Sequence, residues 1–411
     1  MNGWRDRQGA GRDVAVIGAG VVGLAVAALL GRAGFKVALV DALPAATFDP
    51  AGEYDLRVYA LTRASERILA AAGAWDFIAG SRHGSFRSME VWDEGSRGRI
   101  RFDSTMLAEA ALGSIVEQNL IRHALERRIA TLPDVEWLRP AALATWRADE
   151  TALHLTLDDG RTFWAPLVVG ADGARSRVRT LAGIGYERQD YDHHAIVCNV
   201  GHEQAHDDTA RQRFLPTGPV AFLPLADARQ SSIVWSTAPE LAERLMALDD
   251  ATFCAELTLA FEGRLGRVTG TGPRARFPLA RASAASYVVP RVALIGDAAH
   301  SIHPLAGQGA NLGLLDAATL ADIVVAARES GADIGSLRVL RRHERWRRGE
   351  NLAMQSLMTG FKDLFGASRP ALRWLRGTGL TAVDRAGPLK NLIMRRAMGL
   401  TGDLPRYALP G

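Results

Sequence analysis

"VAVIGAGVVGLAVAALLGRAGFKVALVD", residues 14–41, decides the fold. Val14 to Ile17 is a short apolar run of strand type, and Gly18, Gly20 and Gly23 follow it in G-x-G-x-x-G spacing. Small apolar residues then continue with helical character to about Arg32, and "FKVALVD" supplies a second strand that ends on Asp41. Strand, glycine turn, helix and strand make a complete β-α-β unit of the dinucleotide-binding kind. Gly18 permits the tight turn, Gly20 lets a pyrophosphate approach the backbone, and Gly23 lets helix and strand close up. The helix N-terminus offers unpaired N–H groups and the positive end of its dipole to the same phosphates. Asp41 stands 23 residues after Gly18, where a carboxylate accepts hydrogen bonds from a ribose diol. Arg5, Arg7 and Arg12 lend the segment the outline of a signal peptide or short membrane span. The glycine spacing and the terminal acid argue for nucleotide binding instead.

The composition is that of a globular chain. With 411 residues, 48% hydrophobic and 23% charged, it has room for two domains or for one α/β domain with an insertion. Cys198 and Cys254 have no metal-type spacing and read as reduced thiols of a cytosolic protein. The net charge of +4 is uneven, because residues 331–411 hold 15 Lys and Arg against 6 Asp and Glu. A basic tail suits an anionic membrane surface, an acidic partner or a solvated helix face. No repeat of basic and aromatic residues points to nucleic acid, and none is expected as a partner. Met354, Leu357, Met358, Phe361 and Phe365 recur there at helical spacings, as a core stripe, a subunit contact or an interfacial docking face would.

Other stretches carry candidate site residues. In "YDLRVYALTRASERIL", residues 54–69, Arg57 precedes a helix starting near Thr62 or Arg63, and it reads either as a phosphate or ring neighbour or as a surface ion pair. In "SIVEQNLIRHALERRIATL", residues 114–132, Ser114 and Glu117 have capping-box spacing and predict a helix with Gln118 in its first turn. "TALHLTLDDGRTFWAPLVVGAD", residues 151–172, reads as two antiparallel strands about a turn at Asp158–Gly160, then a strand delivering Asp172 to the start of "ARSRVR". Asp172 is there either a ligand group or a helix cap. Residues 190–281 are rich in β-type runs, with a helical stretch near 239–260, and offer Phe222, Trp235 and Phe277 as pocket walls or core. "RVALIGDAAH" closes on Gly296 and Asp297, and "HPLAGQGANLGLLD", residues 303–316, follows at once. Gly307, Gln308, Gly309, Ala310 and Asn311 form a loop poor in side chains before a helix, which suits close approach of a ligand to backbone. His300 and His303 have no third ligand near them in sequence, and no metal is expected.

Together "GAGVVG" with Asp41, "ADGARSR", "GDAAH" and "HPLAGQGANLGLLD" resemble the flavin-dependent aromatic hydroxylases related to p-hydroxybenzoate hydroxylase. The last stretch is similar, position for position, to the signature of the UbiH/UbiF/VisC type, which hydroxylates the ubiquinone precursor ring. The resemblance runs from about residue 13 to the C-terminus and includes "MGLTGDLPR". It implies that Gly18, Gly20 and Gly23 hold the pyrophosphate of FAD and Asp41 its adenosine ribose, at a position where relatives more often carry Glu. It further implies that Arg57 and Gln118 line the FAD cleft and that Asp172 belongs to a motif linked with FAD and NAD(P)H. Gly296 and Asp297 would meet the ribityl or pyrophosphate region. Residues 307–311 would lie against the isoalloxazine edge, where a helix N-terminus favours negative charge on the reduced ring. The candidate catalytic positions are His303, to orient the loop, and Pro304, to offer its carbonyl to substrate. No acid or base is assigned.

The implied activity is hydroxylation of a polyprenylphenol in ubiquinone biosynthesis. NADPH or NADH reduces FAD, dioxygen adds at flavin C4a as a hydroperoxide, and the electron-rich ring takes the distal oxygen. The nicotinamide, lacking a second G-x-G-x-x-G, would bind transiently. Another phenol as substrate, or a flavin-bound subunit without catalysis, are the alternatives. A small hydrophobic phenol and O2 are the expected partners, with membrane or complex contact through the basic C-terminal region and a cytoplasmic location, peripheral at the inner membrane. The architecture expected is α/β: a Rossmann-like FAD-binding domain in two parts (1–185 and 283–335), an inserted β-sheet substrate domain (186–282) and a helical C-terminal tail (336–411).

Overall fold

Strands β1 (Val14–Ile17) and β2 (Val37–Val40) pair in parallel, joined by helix α1 (Val21–Arg32). Both read as unbroken apolar runs because both faces of their sheet are covered, and all eight residues are buried. The computed structural model describes residues 10–45, 47–94, 98–301, 308–366 and 387–410. In the central sheet Leu167–Gly170 and Val292–Leu294 continue from β1, Val135–Leu138 lies beyond β2, and these pairings are all parallel. Gly170, Gly296 and the glycine turn after β1 thus collect at one end of the sheet, where ligands of open α/β sheets bind.

Strand β3 (Val58–Thr62) leads into helix α2 (Arg63–Ala71), which Thr62 caps by accepting the Ser65 N–H. The predicted capping box at Ser114 and Glu117 does not form. Both residues lie in strand β4 (Gly113–Glu117), flanked by β3 and by Gly84–Phe86, and helix α3 (Gln118–Ile129) starts one residue later. Two neighbouring strands take up the β4 backbone, and the side chains go elsewhere. Ser114 donates to Glu66 at 2.8 Å, and Glu117 takes both forks of Arg82 at 2.8 and 2.9 Å.

The large sheet contains β5 (Tyr186–His202), β6 (Thr209–Leu215), β7 (Gly218–Pro224), β8 (Gln230–Thr237) and β9 (Ala275–Ala284), in the order β9-β5-β8-β7-β6. It is not confined to residues 186–282. Ser88–Asp93 adds in parallel to β6, Arg99–Asp103 follows, and His300–Ser301 pairs with β9 at the other edge. Both edges are thereby covered by strands from the nucleotide-binding half. Helices Pro239–Ala247 and Asp250–Ala260 pack on one face of this sheet through Phe253, Leu257 and the adjoining Phe261.

Helices α4 (Gln308–Glu329), α5 (Leu337–Gly366) and α6 (Gly387–Ala397) complete the chain. The stretch Gly309–Glu329 is long and apolar enough to cross a bilayer, but it packs against α1 and α5 and its apolar window is 78% buried, so it serves as a core helix. Asp316 of α4 is fully buried. Its Oδ2 accepts the Gly296 N–H at 3.0 Å and His300 Nε2 at 2.5 Å, while Oδ1 accepts Arg347 Nε at 2.8 Å and Asn351 Nδ2 at 3.2 Å. Burial alone would raise its pKa, but His300 and Arg347 outweigh that and hold the carboxyl below the usual carboxylate range. Arg347, one of the tail's many arginines, is therefore a core residue with no exposed side-chain surface. Burial pushes the neighbouring His343 down to about 4, with Asp316 opposing the shift and Arg347 adding to it.

Two outcomes follow from this network. Arg347→Met leaves Asp316 charged and short of a partner, and should cost about 3–5 kcal/mol of stability, read by chemical unfolding. His343 takes its proton near pH 4 when folded and near 6.5 when unfolded, so acidification through that window favours the unfolded chain. Stability should fall by about 2–3 kcal/mol between pH 7 and pH 4.5, and His343→Leu should remove that part of the slope.

Candidate active site

A cavity of about 690 Å³ lies between the strand ends of the central sheet and the uncovered face of the large sheet, a size suited to a small organic ligand. Gly20, Ala171, Gly173, Gly296 and Asp297 line it on one side; Ala195, Val197, Ala221, Val234 and Phe277 line it on the other. Arg57, Tyr59 and Gln118 border it, and Ala397 and Met398 reach it from the C-terminal region.

The glycine turn is built for a phosphate. Gly18 has φ +102°, and a Cβ there would meet the Ala171 carbonyl oxygen at 2.4 Å. A Cβ on Gly23 would sit 1.9 Å from the Gly18 oxygen, so the helix can lie this close to the turn only with glycine there. Gly20, in contrast, faces open space and caps α1 without any side chain, which leaves first-turn N–H groups free for an anion. Asp41 accepts the Ala19 N–H inside the turn and the Leu43 N–H at 2.6 Å. It braces the turn and keeps lone pairs for a ribose hydroxyl.

The remaining positions fall into two groups. Tyr59 donates to Gln118 at 2.7 Å, Arg57 Nη1 lies 3.5 Å from the same oxygen, and the Arg57 guanidinium sits 5.4 Å from the centre of the Phe277 ring. Burial pushes Tyr59 up to about 12, so it stays protonated and a donor at neutral pH. Asp297 opens onto the cavity, and its enclosure there raises its carboxyl pKa, with His300 and Arg57 opposing. Gln308 to Asn311 are not loop, as their sequence suggested, but the first turn of α4, and Gly309 and Ala310 bring that turn to the cavity. The other group is bracing. Asp172 accepts the N–H groups of Arg177 and Val178 at 2.7 and 3.1 Å and so caps the helix Arg177–Leu181, while its neighbours Ala171 and Gly173 face the cavity. The Asn311 side chain accepts from the Thr62 N–H and Ser65 Oγ and donates to the Ala60 carbonyl, fastening α4 to β3 and α2. His300 is committed to Asp316. His303, Pro304 and Gly307 lie outside the described residues.

Phe222 and Trp235 do not line the cavity. Phe222 stacks on Phe261 with ring centres 3.8 Å apart, and Trp235 packs near Phe253, both beneath the two covering helices. Side chains alternate along a strand, so their neighbours Ala221, Leu223, Val234 and Ser236 face the cavity instead. The residues that reading by size passed over are these small ones, with Gln212 and Ser232. The signal for them was the helical stretch at 239–260, whose apolar side needs the bulky set.

The features that would hold FAD are thus present: the open glycine turn with α1 behind it for the pyrophosphate, Asp41 for the ribose, and Arg57, Gln118 and the α4 N-terminus around the ring system. Gly23→Ala should force turn and helix apart and yield protein with little bound flavin, measured as flavin absorbance per polypeptide.

The comparisons with known proteins agree with this cleft. The family model described as FAD binding domain matches residues 12–355. The ubiquinone hydroxylase UbiL of Rhodospirillum rubrum is 40% identical over 94% of this chain and 89% of its own length, and the 3-demethoxyubiquinol 3-hydroxylase of Escherichia coli is 38% identical over 94% and 98%. Among solved structures, PqsL of Pseudomonas aeruginosa bound to 2-aminobenzoylacetate superposes with a TM-score of 0.75 at 26% identity, covering 90% of this chain and all of that one. With the match spanning most of its length and the cleft built to suit, the chain belongs to the FAD binding domain family and is an FAD-dependent aromatic-ring monooxygenase.

Proposed function

We propose that the chain hydroxylates the aromatic ring of a polyprenylphenol intermediate in ubiquinone biosynthesis, with NADPH or NADH and O2 as co-substrates. The observation that carries this is a cavity in which a dinucleotide-binding turn faces a largely apolar sheet floor. The names of the relatives, a ubiquinone hydroxylase and a demethoxyubiquinol hydroxylase, support the substrate class. FAD, when bound, supplies oxygen activation and transfer after reduction by the nicotinamide.

The chain's own residues bind, orient and keep water away. The open N-terminus of α1 binds the pyrophosphate, and the positive end of α4 at Gly309 and Ala310 favours negative charge brought beside it. Arg57 is held by Gln118 and Phe277, and Tyr59 remains a neutral donor. The apolar floor keeps water from reactive oxygen, which would otherwise be lost as hydrogen peroxide. An electron-rich phenol needs no strong base from the protein.

A membrane-borne substrate suits the surface beside Ala397 and Met398. On α6, Leu392 is 60% exposed and Arg395 and Arg396 are exposed, just ahead of those two cavity residues. An apolar residue among cations suits peripheral contact with an anionic bilayer, and this supports our reading of a cytoplasmic protein peripheral at the inner membrane.

Expression in bacterial strains each lacking one ubiquinone-ring hydroxylase should restore ubiquinone in one of them, identified by mass spectrometry. Failure in every strain, with soluble flavin-bound protein, would move the reading to another phenol. Absence of any phenol-stimulated NAD(P)H oxidation would move it to a non-catalytic subunit. In flotation with anionic liposomes the protein should rise with the lipid, and Leu392→Asp with Arg395→Glu should leave most of it behind.

A further inference from the structure

On the cavity face of the large sheet, Gln212 stands at the end of a row of short side chains, Ala221, Val234 and Val197. Strand register sets Gln212 of β6 opposite Ala221 of β7, Ala221 opposite Val234 of β8, and Val234 opposite Val197 of β5. With strands about 4.8 Å apart, the step from Gln212 to Val234 spans roughly 10 Å, enough for a substituted benzene ring to lie on Ala221 and Val234 with Gln212 at its rim. Ser232 and Ser236 stand two residues to either side of Val234 along β8 and also line the cavity.

Gln212 is 8% exposed, Ser232 1% and Ser236 2%. None of the three side chains hydrogen-bonds to another described residue, and all three border the cavity. Asp297 also opens onto the cavity, on the side of the central sheet, whereas the long polar side chains near this wall are engaged. Tyr59 and Arg57 converge on Gln118, and the Arg211 guanidinium donates to the His206 carbonyl at 2.7 Å beside Glu90. A buried amide pays for lost hydration unless something completes its hydrogen bonds, and on this wall the partner has to come from within the cavity.

Resting on the phenolic reading above, we propose that Gln212 is the specificity-determining residue that recognises a neutral oxygen substituent on the substrate ring. The ring hydroxyl donates to Oε1 or accepts from Nε2, while the ring face lies on Ala221 and Val234. The amide carries no charge, and the nearest cation in sequence, Arg211, is tied to its own partners. This wall therefore favours a phenol over a ring that carries a carboxylate. The serine hydroxyls offer further contacts to a second ring oxygen.

The test titrates two probes, 2-(3-methylbut-2-enyl)phenol and (3-methylbut-2-enyl)benzene, into FAD-loaded protein and follows the flavin absorbance. Wild type should bind the phenol at least about tenfold more tightly than the hydrocarbon. Gln212→Leu should bind the two within about threefold, with the hydrocarbon as tight as before, and should show a raised KM for the phenol and poorer coupling. Flavin content and unfolding temperature check the fold. If the Leu variant loses its flavin, Gln212→Met, unbranched and close in volume, carries the comparison. Full discrimination retained in the variants would place hydroxyl recognition elsewhere and overturn the assignment while leaving the phenolic reading intact. Wild type that neither binds the phenol nor oxidises NAD(P)H faster in its presence would overturn both.

Discussion

A carboxylate with no exposed surface ties the strand-end turn after Val292–Leu294 to helix α5. Asp316 spends its two oxygens on the Gly296 backbone, His300, Arg347 and Asn351, which come from the strand-end turn of the central sheet and from the helix of the tail. A buried charge is tolerable only when such partners surround it, and each partner is in turn held by the need to satisfy it. The turn that presents Asp297 to the cavity, the helix that presents Gly309 and Ala310, and the helix of the basic tail are therefore set relative to one another by one residue. The cost of that arrangement is borne in the core, away from the cavity it organises.

The cavity itself is the product of two sheets with different demands. The central sheet is covered on both faces and reaches the site only through its strand ends, so backbone and glycine do most of the work there. The large sheet has one face under helices and the other turned to the cavity, and its side chains divide accordingly. Phe222 and Trp235 go to the helices, while their strand neighbours Ala221, Val234 and Ser236 go to the cavity. Closing the edges of that sheet takes strands from the nucleotide-binding half, which welds the two halves and explains why chain boundaries and sheet boundaries differ.

Much of this was legible in residue order. The glycine spacing with Asp41 specified the β-α-β unit, and the strand-Gly-Asp pattern at 296–297 marked a strand end that reaches the cavity. Reading failed where one pattern had two physical outcomes. Ser114 and Glu117 have the spacing of a capping box, yet they lie in a strand because two neighbouring strands claim the backbone. Phe222 and Trp235 are the size of pocket walls, but alternation shows which residues share a face without saying which face the helices cover. Arg347 is one cation in a basic run, and only the placement of α5 against α4 makes it a buried partner of Asp316.

The sequence by itself determined the local turns, the order of elements and the family, because these rest on backbone sterics and short-range periodicity that a few adjacent residues encode. Only the tertiary structure decided which side chains meet across the cavity, which carboxylate is buried and how its charge is matched, and that Gln212 faces the cavity with no partner among the described residues. Those outcomes depend on contacts between residues tens to hundreds of positions apart, and the free energy of such a contact comes from burial and pairing, which exist only once the chain has closed on itself.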